Sequence, residues 1–350
     1  MKCRPKCSAP SAAAGANRDA SGEVAERMFS SRFVRSHLLL ACTCLLALPG
    51  CGVVQKLAIG VVYDEVALPE ANVVRDLAYR DTGNPKHRLN LFLPLEDSVR
   101  STPWPTVVFV HGGGWTEGDR NLTYGGQDIY NNIGRFFAQR GIGGATVSYR
   151  LMPEVTWREQ VDDVAAAVAF LQREVAARGG DPASVFLMGH SAGAYLATFV
   201  ALDLARLQAA EAPAALCGAI PVSGAALDLR DRETYRLRDN FDYYSARFSP
   251  DRVARDTPPA EPFDWQSKAS PVLFAQSGAP PFLILYAGGE TEALQRQSQL
   301  LDDALRAAGA QSEIVVVPGK SHERIVPALS RDDQTAGPAM LRFVRAQSCE

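Results

Sequence analysis

From residue 73 onward, short runs rich in Val, Ile and Leu alternate with segments of helical period, and few folds accommodate such a chain. Strands are expected at 73–80, 88–93, 106–110, 145–149, 185–188, 217–222, 282–286 and 313–317. Helices are expected at 129–139, 159–177, from Ala192 onward, at 292–308 and near Met340. Within 159–177 the apolar residues Val161, Val164, Val168 and Leu171 recur at three and four positions, which draws one stripe along a helix. Residues 106–110 read Thr-Val-Val-Phe-Val with no polar alternation, as a strand covered on both faces does. Strands alternating with helices predict an α/β architecture: a doubly wound, mostly parallel sheet with helices on both faces. The stretch 225–280 breaks this rhythm. It is rich in Asp, Arg, Tyr, Phe and Pro and reads as a lid-like insertion between two late strands.

Charge excludes one class of partner. Residues 1–50 carry seven basic and three acidic side chains, whereas the remaining 300 carry 29 basic and 36 acidic ones. A body with that excess of carboxylates has no electrostatic attraction for nucleic acid. The seven cysteines are as uneven: Cys3, Cys7, Cys42, Cys44 and Cys51 precede the regular region, and only Cys217 and Cys349 follow. Those two could pair, but they make no disulfide framework, and no Cys/His spacing predicts a metal site.

The N-terminal residues read as an address. Arg32 and Arg35 precede an eleven-residue apolar run, 38–48, too short to span a bilayer and of the right length for an export signal. The run ends in Leu48-Pro49-Gly50-Cys51, which resembles a bacterial lipobox, and the resemblance implies lipidation at Cys51. The expected organisation is a leader at 1–27, a lipoprotein-type signal at 28–50, a tether at 51–72 and a catalytic domain at 73–346. The protein would be exported and membrane-anchored, facing the periplasm or the cell surface.

Two glycine-bracketed clusters carry the chemistry. Gly189-His190-Ser191-Ala192-Gly193 sits where the strand 185–188 meets a helix. Small residues on both sides of a serine allow a sharp, strained turn that pushes Oγ out at the top of a sheet, and the helix amino end behind it favours a developing anion. His111-Gly112-Gly113-Gly114-Trp115 follows the buried strand 106–110. Glycines there let backbone amides approach a tetrahedral oxyanion, with Gly113 and Gly114 the expected donors and Ala192 the third. The loop lacks the Lys-Ser/Thr of a P-loop and the spaced glycines of a dinucleotide site.

A serine nucleophile needs a base, and the base needs an acid. Of the five histidines, His37 lies in the signal, His87 in an early turn, His111 in the glycine loop and His190 beside the serine. That leaves His322, on the loop after 313–317. The acid should follow strand 282–286, where the chain offers Glu290 and Glu292. Glu290 is preferred because it is nearer the strand end, while Glu292 suits the first turn of a helix.

Together these motifs resemble the α/β-hydrolase superfamily, and within it the esterases with a His-Gly-Gly-Gly loop, including prenylcysteine methylesterases, carboxylesterases and arylformamidases. The sequences around 179–182, 188–194, 280–285 and 319–322 are similar to that group. The resemblance implies Ser191 as nucleophile, His322 as base, Glu290 as acid where relatives usually carry Asp, and Gly113, Gly114 and Ala192 as oxyanion donors, with no cofactor. The expected activity is hydrolysis of small or medium carboxylic esters, aryl esters among them. Two alternatives stand beside it: an arylformamidase-type amide hydrolase, and a non-catalytic lipid-anchored binding protein on a hydrolase fold.

Overall fold

The computed structural model describes residues 65–98, 103–124, 126–249, 264–332 and 335–349. The expected leader, signal peptide and Cys51 lie outside them. Eight strands form one sheet: β1 (Val73–Ala78), β2 (Arg88–Phe92), β3 (Trp104–Val110), β4 (Gly143–Val147), β5 (Gly180–His190), β6 (Gly218–Val222), β7 (Phe282–Ala287) and β8 (Ser312–Val317). Their spatial order is β1-β2-β4-β3-β5-β6-β7-β8. β2 runs antiparallel to both of its neighbours, and the other pairings are parallel.

Helices α1 (Asn131–Ala138), α2 (Trp157–Ala176), α3 (Ala192–Leu202), α4 (Leu204–Ala209), α5 (Arg232–Leu237), α6 (Phe241–Phe248), α7 (Asp264–Lys268), α8 (Glu292–Ala307), α9 (Ile325–Ala328) and α10 (Ala336–Ala346) surround it. β3 shows why its sequence has no polar alternation. Val108 and Val110 pack into one core with residues of α2, α3 and α8, while Val107 and Phe109 pack into a second core with α1 and α10. Successive side chains point to opposite faces, and both faces are buried. α2 is one turn longer at its start than its apolar stripe. Thr156 and Glu159 form a capping box there, with the Thr156 amide donating to Glu159 Oε2 at 2.8 Å, so two free amino-end donors are satisfied.

Three segments show detail beyond the sequence. Gly180, Asp181 and Pro182 lie within β5; the ladder begins at Gly180 opposite Trp104, then resumes with Val185 opposite Thr106. Between them Asp181 accepts from the Ala183 amide at 2.9 Å and the Ser184 hydroxyl at 2.7 Å, so a turn sits inside the strand. From Glu65 the expected tether is already docked: the Val66 amide donates to Asn132 Oδ1 at 2.6 Å, and Glu65 pairs with Arg135 of α1. The insertion is helical where described, holding α5, α6, α7 and a 3-10 turn at Pro271–Phe274. Asp231 caps α5 through the Thr234 amide (2.8 Å) and grips Arg296 of α8 with both oxygens (2.7 and 2.8 Å). The Arg296 guanidinium is the main reason the Asp231 carboxyl is pulled down to about 2. Cys217, at the foot of β6, is disulfide-bonded to Cys349 with Cα atoms 5.5 Å apart.

Candidate active site

Ser191 joins β5 to α3 with φ 55° and ψ −116°, a backbone region a side chain avoids unless its surroundings impose it. The surroundings are tight. A Cβ on Gly189 would lie 2.2 Å from the Gly193 carbonyl oxygen, and one on Gly193 would lie 2.2 Å from that of Val110 at the end of β3. The Ser191 amide donates to the Val222 carbonyl at 3.0 Å, which ties the turn to β6 as well.

The expected partners come together at this serine. His322 Nε2 lies 3.0 Å from Ser191 Oγ, and His322 Nδ1 lies 3.0 Å from Glu290 Oε2. An ionised carboxylate only accepts, so Nδ1 carries the proton and Nε2 presents its lone pair to the serine hydroxyl. Glu290 follows β7 and its carboxylate is fully buried, whereas Glu292 is exposed in the first turn of α8. The loops carrying acid and imidazole are laced together: the Gly288 amide donates to the Val317 carbonyl and the Gly289 amide to that of Lys320, each at 2.9 Å.

The glycine loop lies across from the serine. His111 is buried, stacks on Tyr149 with centroids 4.3 Å apart, and donates from Nδ1 to the Gly112 carbonyl at 2.7 Å. Burial pushes its imidazole down to about 4, so it is neutral and structural. Gly113 has φ 117°, and a Cβ there would lie 2.0 Å from the Glu117 carbonyl oxygen; only glycine fits. Gly114, with φ 56°, lies beneath the insertion: a Cβ would sit 2.5 Å from the Tyr243 hydroxyl. Arg247 donates from Nε to the Gly114 carbonyl at 3.0 Å while its guanidinium covers the Tyr243 ring at 3.5 Å. Ala192 opens α3, with its amide at the helix start beside Ser191.

Sequence reasoning gave three residues no place at the serine turn or the glycine loop. Gly112 is packed against the Ser191 turn, where an added Cβ would lie 3.3 Å from Ser191 Cβ. Tyr243 and Arg247 reach the loop from an insertion far away in sequence, and no local pattern announces them. The aromatic residues of the insertion divide: Tyr244 and Phe248 are buried against Trp115 (centroids 6.2 and 5.0 Å), while Tyr243 stays exposed beside the loop. His87 is used elsewhere, 3.2 Å from Asp163 Oδ1 and 2.6 Å from Thr82 Oγ1. Among the described residues no group of three His, Cys, Asp or Glu side chains could hold a metal ion, and no helix is long and apolar enough to cross a membrane.

A family model described as the alpha/beta hydrolase fold matches residues 107–326. The chain belongs to the alpha/beta hydrolase fold family. A probable isoprenylcysteine alpha-carbonyl methylesterase of Oryza sativa subsp. japonica is 28% identical over 305 residues, covering 83% of this hydrolase-fold chain and 64% of the rice protein. The esterase LipQ of Mycobacterium tuberculosis is 31% identical over 211 residues, covering 59% of this chain and 47% of its own. The chain thus spans under two thirds of the length of these relatives. Among solved structures, esterase B from Lactobacillus rhamnosis superposes with a TM-score of 0.63 at 22% identity, over 89% of this chain and 93% of that one. That likeness is one of fold.

Proposed function

We propose that this hydrolase-fold chain is a serine-dependent carboxylic ester hydrolase acting on small to medium esters. The observation that carries the reading is the continuous hydrogen-bond chain Ser191 Oγ, His322 Nε2, His322 Nδ1, Glu290 Oε2, with 3.0 Å at both links. In this reading His322 takes the hydroxyl proton as Ser191 attacks the ester carbonyl, and Glu290 stabilises the imidazolium. The tetrahedral oxyanion is received by amides of Gly113, Gly114 and Ala192, and the alcohol leaves with the proton His322 returns. Water then enters by the same proton route and releases the acid. Several relatives bear esterase names, which supports ester over amide cleavage. Initial rates on p-nitrophenyl esters of graded acyl length, beside N-formylkynurenine, test it. Turnover of the esters is expected; hydrolysis of the formamide alone would favour the amide reading.

Export and lipid anchoring at Cys51 belong to the same proposal. The order of basic, apolar and cysteine-bearing segments supports it, and so does the Cys217–Cys349 disulfide, because such bonds persist in oxidising compartments. Detergent partition of the full chain and of Cys51→Ala tests it, with release of the variant expected. Recovery of the unmodified wild type from the cytoplasm would remove the claim.

A further inference from the structure

His190 is the one member of the serine turn that the proposed reaction leaves without a task. The residue is 6% exposed, and it faces two other loops, that of His322 and that of Gly112. Nε2 lies 2.8 Å from the main-chain carbonyl oxygen of His322. The ring sits 4.8 Å from the His322 ring. On its other side, Nδ1 is 3.1 Å from the place a Gly112 Cβ would occupy. A carbonyl oxygen only accepts, so Nε2 must carry the hydrogen. Nδ1 is buried and has no hydrogen-bond partner among the described residues, so it needs no proton.

We propose that His190 is a positioning residue, whose Nε2–H holds the His322 main chain and so keeps the base within reach of Ser191. The proposal rests on reading Ser191 and His322 as nucleophile and base. The loop bearing His322 follows the edge strand β8, and Glu290 fixes the imidazole only at Nδ1. A second tether, from the nucleophile's own turn to the backbone of the base, fixes the distance between the two reacting groups directly. Charge agrees with this arrangement. Burial, followed by the nearby His322, pushes the His190 imidazole down to about 3, so it stays neutral beside a ring that must become cationic during attack.

The side chains of Gln and Asn separate a hydrogen bond from mere bulk. A glutamine amide nitrogen reaches the place of Nε2, whereas an asparagine amide nitrogen reaches that of Nδ1. Turnover of p-nitrophenyl butyrate by His190→Gln, His190→Asn and His190→Leu is measured with Ser191→Ala as reference. His190→Asn and His190→Leu should lose about 30- to 100-fold in kcat, the scale expected when a catalytic group is misplaced by about 1 Å. Their KM should hold within about two-fold, because ground-state binding is untouched. His190→Gln should stay within about five-fold of wild type, the tether being kept. Equal loss in all three, whatever their melting temperatures, would assign His190 to packing and overturn the proposal. So would wild-type kcat in His190→Leu. Should Ser191→Ala itself keep wild-type turnover, the proposed function fails first, which is a separable result.

Discussion

Ser191, His322 and Glu290 meet from three loops, with 131 positions between serine and histidine and 32 between histidine and acid. Glu290 offers the sharpest test of roles at this scale. Loss of the acid in a serine triad costs on the order of 10⁴ in turnover, because the imidazole loses its tautomer and its counter-charge. Glu290→Gln should therefore cut kcat by about 10³- to 10⁴-fold, whereas Glu292→Gln, on an exposed helix start, should change it less than about two-fold. Comparable kcat values for the two variants would contradict the assignment. The meeting of Ser191, His322 and Glu290 was legible because each sits just past a strand in a chain order that leaves few candidates. Gly112 and His190 were present in the same motifs, but their contacts depend on how loops distant in sequence pack together. The buried histidines also set a pH dependence. His111 and His190 are held down at about 4 and about 3, against 6.5 for the free side chain. The unfolded chain thus binds more protons below about pH 6.5, and the stability these groups contribute is whole above that value and falls as the pH drops toward about 4. A thermal midpoint lower at pH 4.5 than at pH 7.5 is expected; an unchanged one would contradict their burial as neutral groups.

At the level of elements, the buried cores of the strands are plain in the sequence, while their ends differ by up to five residues where turns or caps take over. β5 gained its first residues because pairing begins at Gly180 and resumes at Val185 after a turn inside the strand. α5 and α6, of six and eight residues, were invisible to a periodicity argument since little more than two turns trace no stripe. Their identity lies in contacts: Tyr244 and Phe248 insert beside Trp115, which anchors α6 on the glycine loop. From that anchor Arg247 holds the Gly114 carbonyl at 3.0 Å. Arg247→Met keeps most of the aliphatic stem and removes the donor, so kcat on a short ester should fall about ten-fold while stability shifts by about 0.5 kcal/mol or less. A wild-type kcat in this variant would show that α6 does not position the loop.

Across the whole chain, the strand order places the Ser191 turn on central β5, with the glycine loop after its neighbour β3 and the acid and imidazole after β7 and β8. Parallel strands bring their carboxyl ends to one edge of the sheet, which is where ligands bind in such folds. The mostly parallel sheet was readable from alternation; the site residues needed the glycine-bracketed motifs as well. The docking of residues 65–72 and the Cys217–Cys349 bond were not readable, because a single pair of cysteines and a short irregular segment carry no pattern until the sheet sets their distances. Everything proposed for the site turns on one hydroxyl. The decisive measurement is p-nitrophenyl butyrate hydrolysis by Ser191→Ala, with folding checked by circular dichroism. Turnover should drop by about 10³-fold or more in a folded protein, since the nucleophile is gone while the oxyanion loop remains. A folded Ser191→Ala protein that keeps wild-type turnover would contradict the assignment of this site.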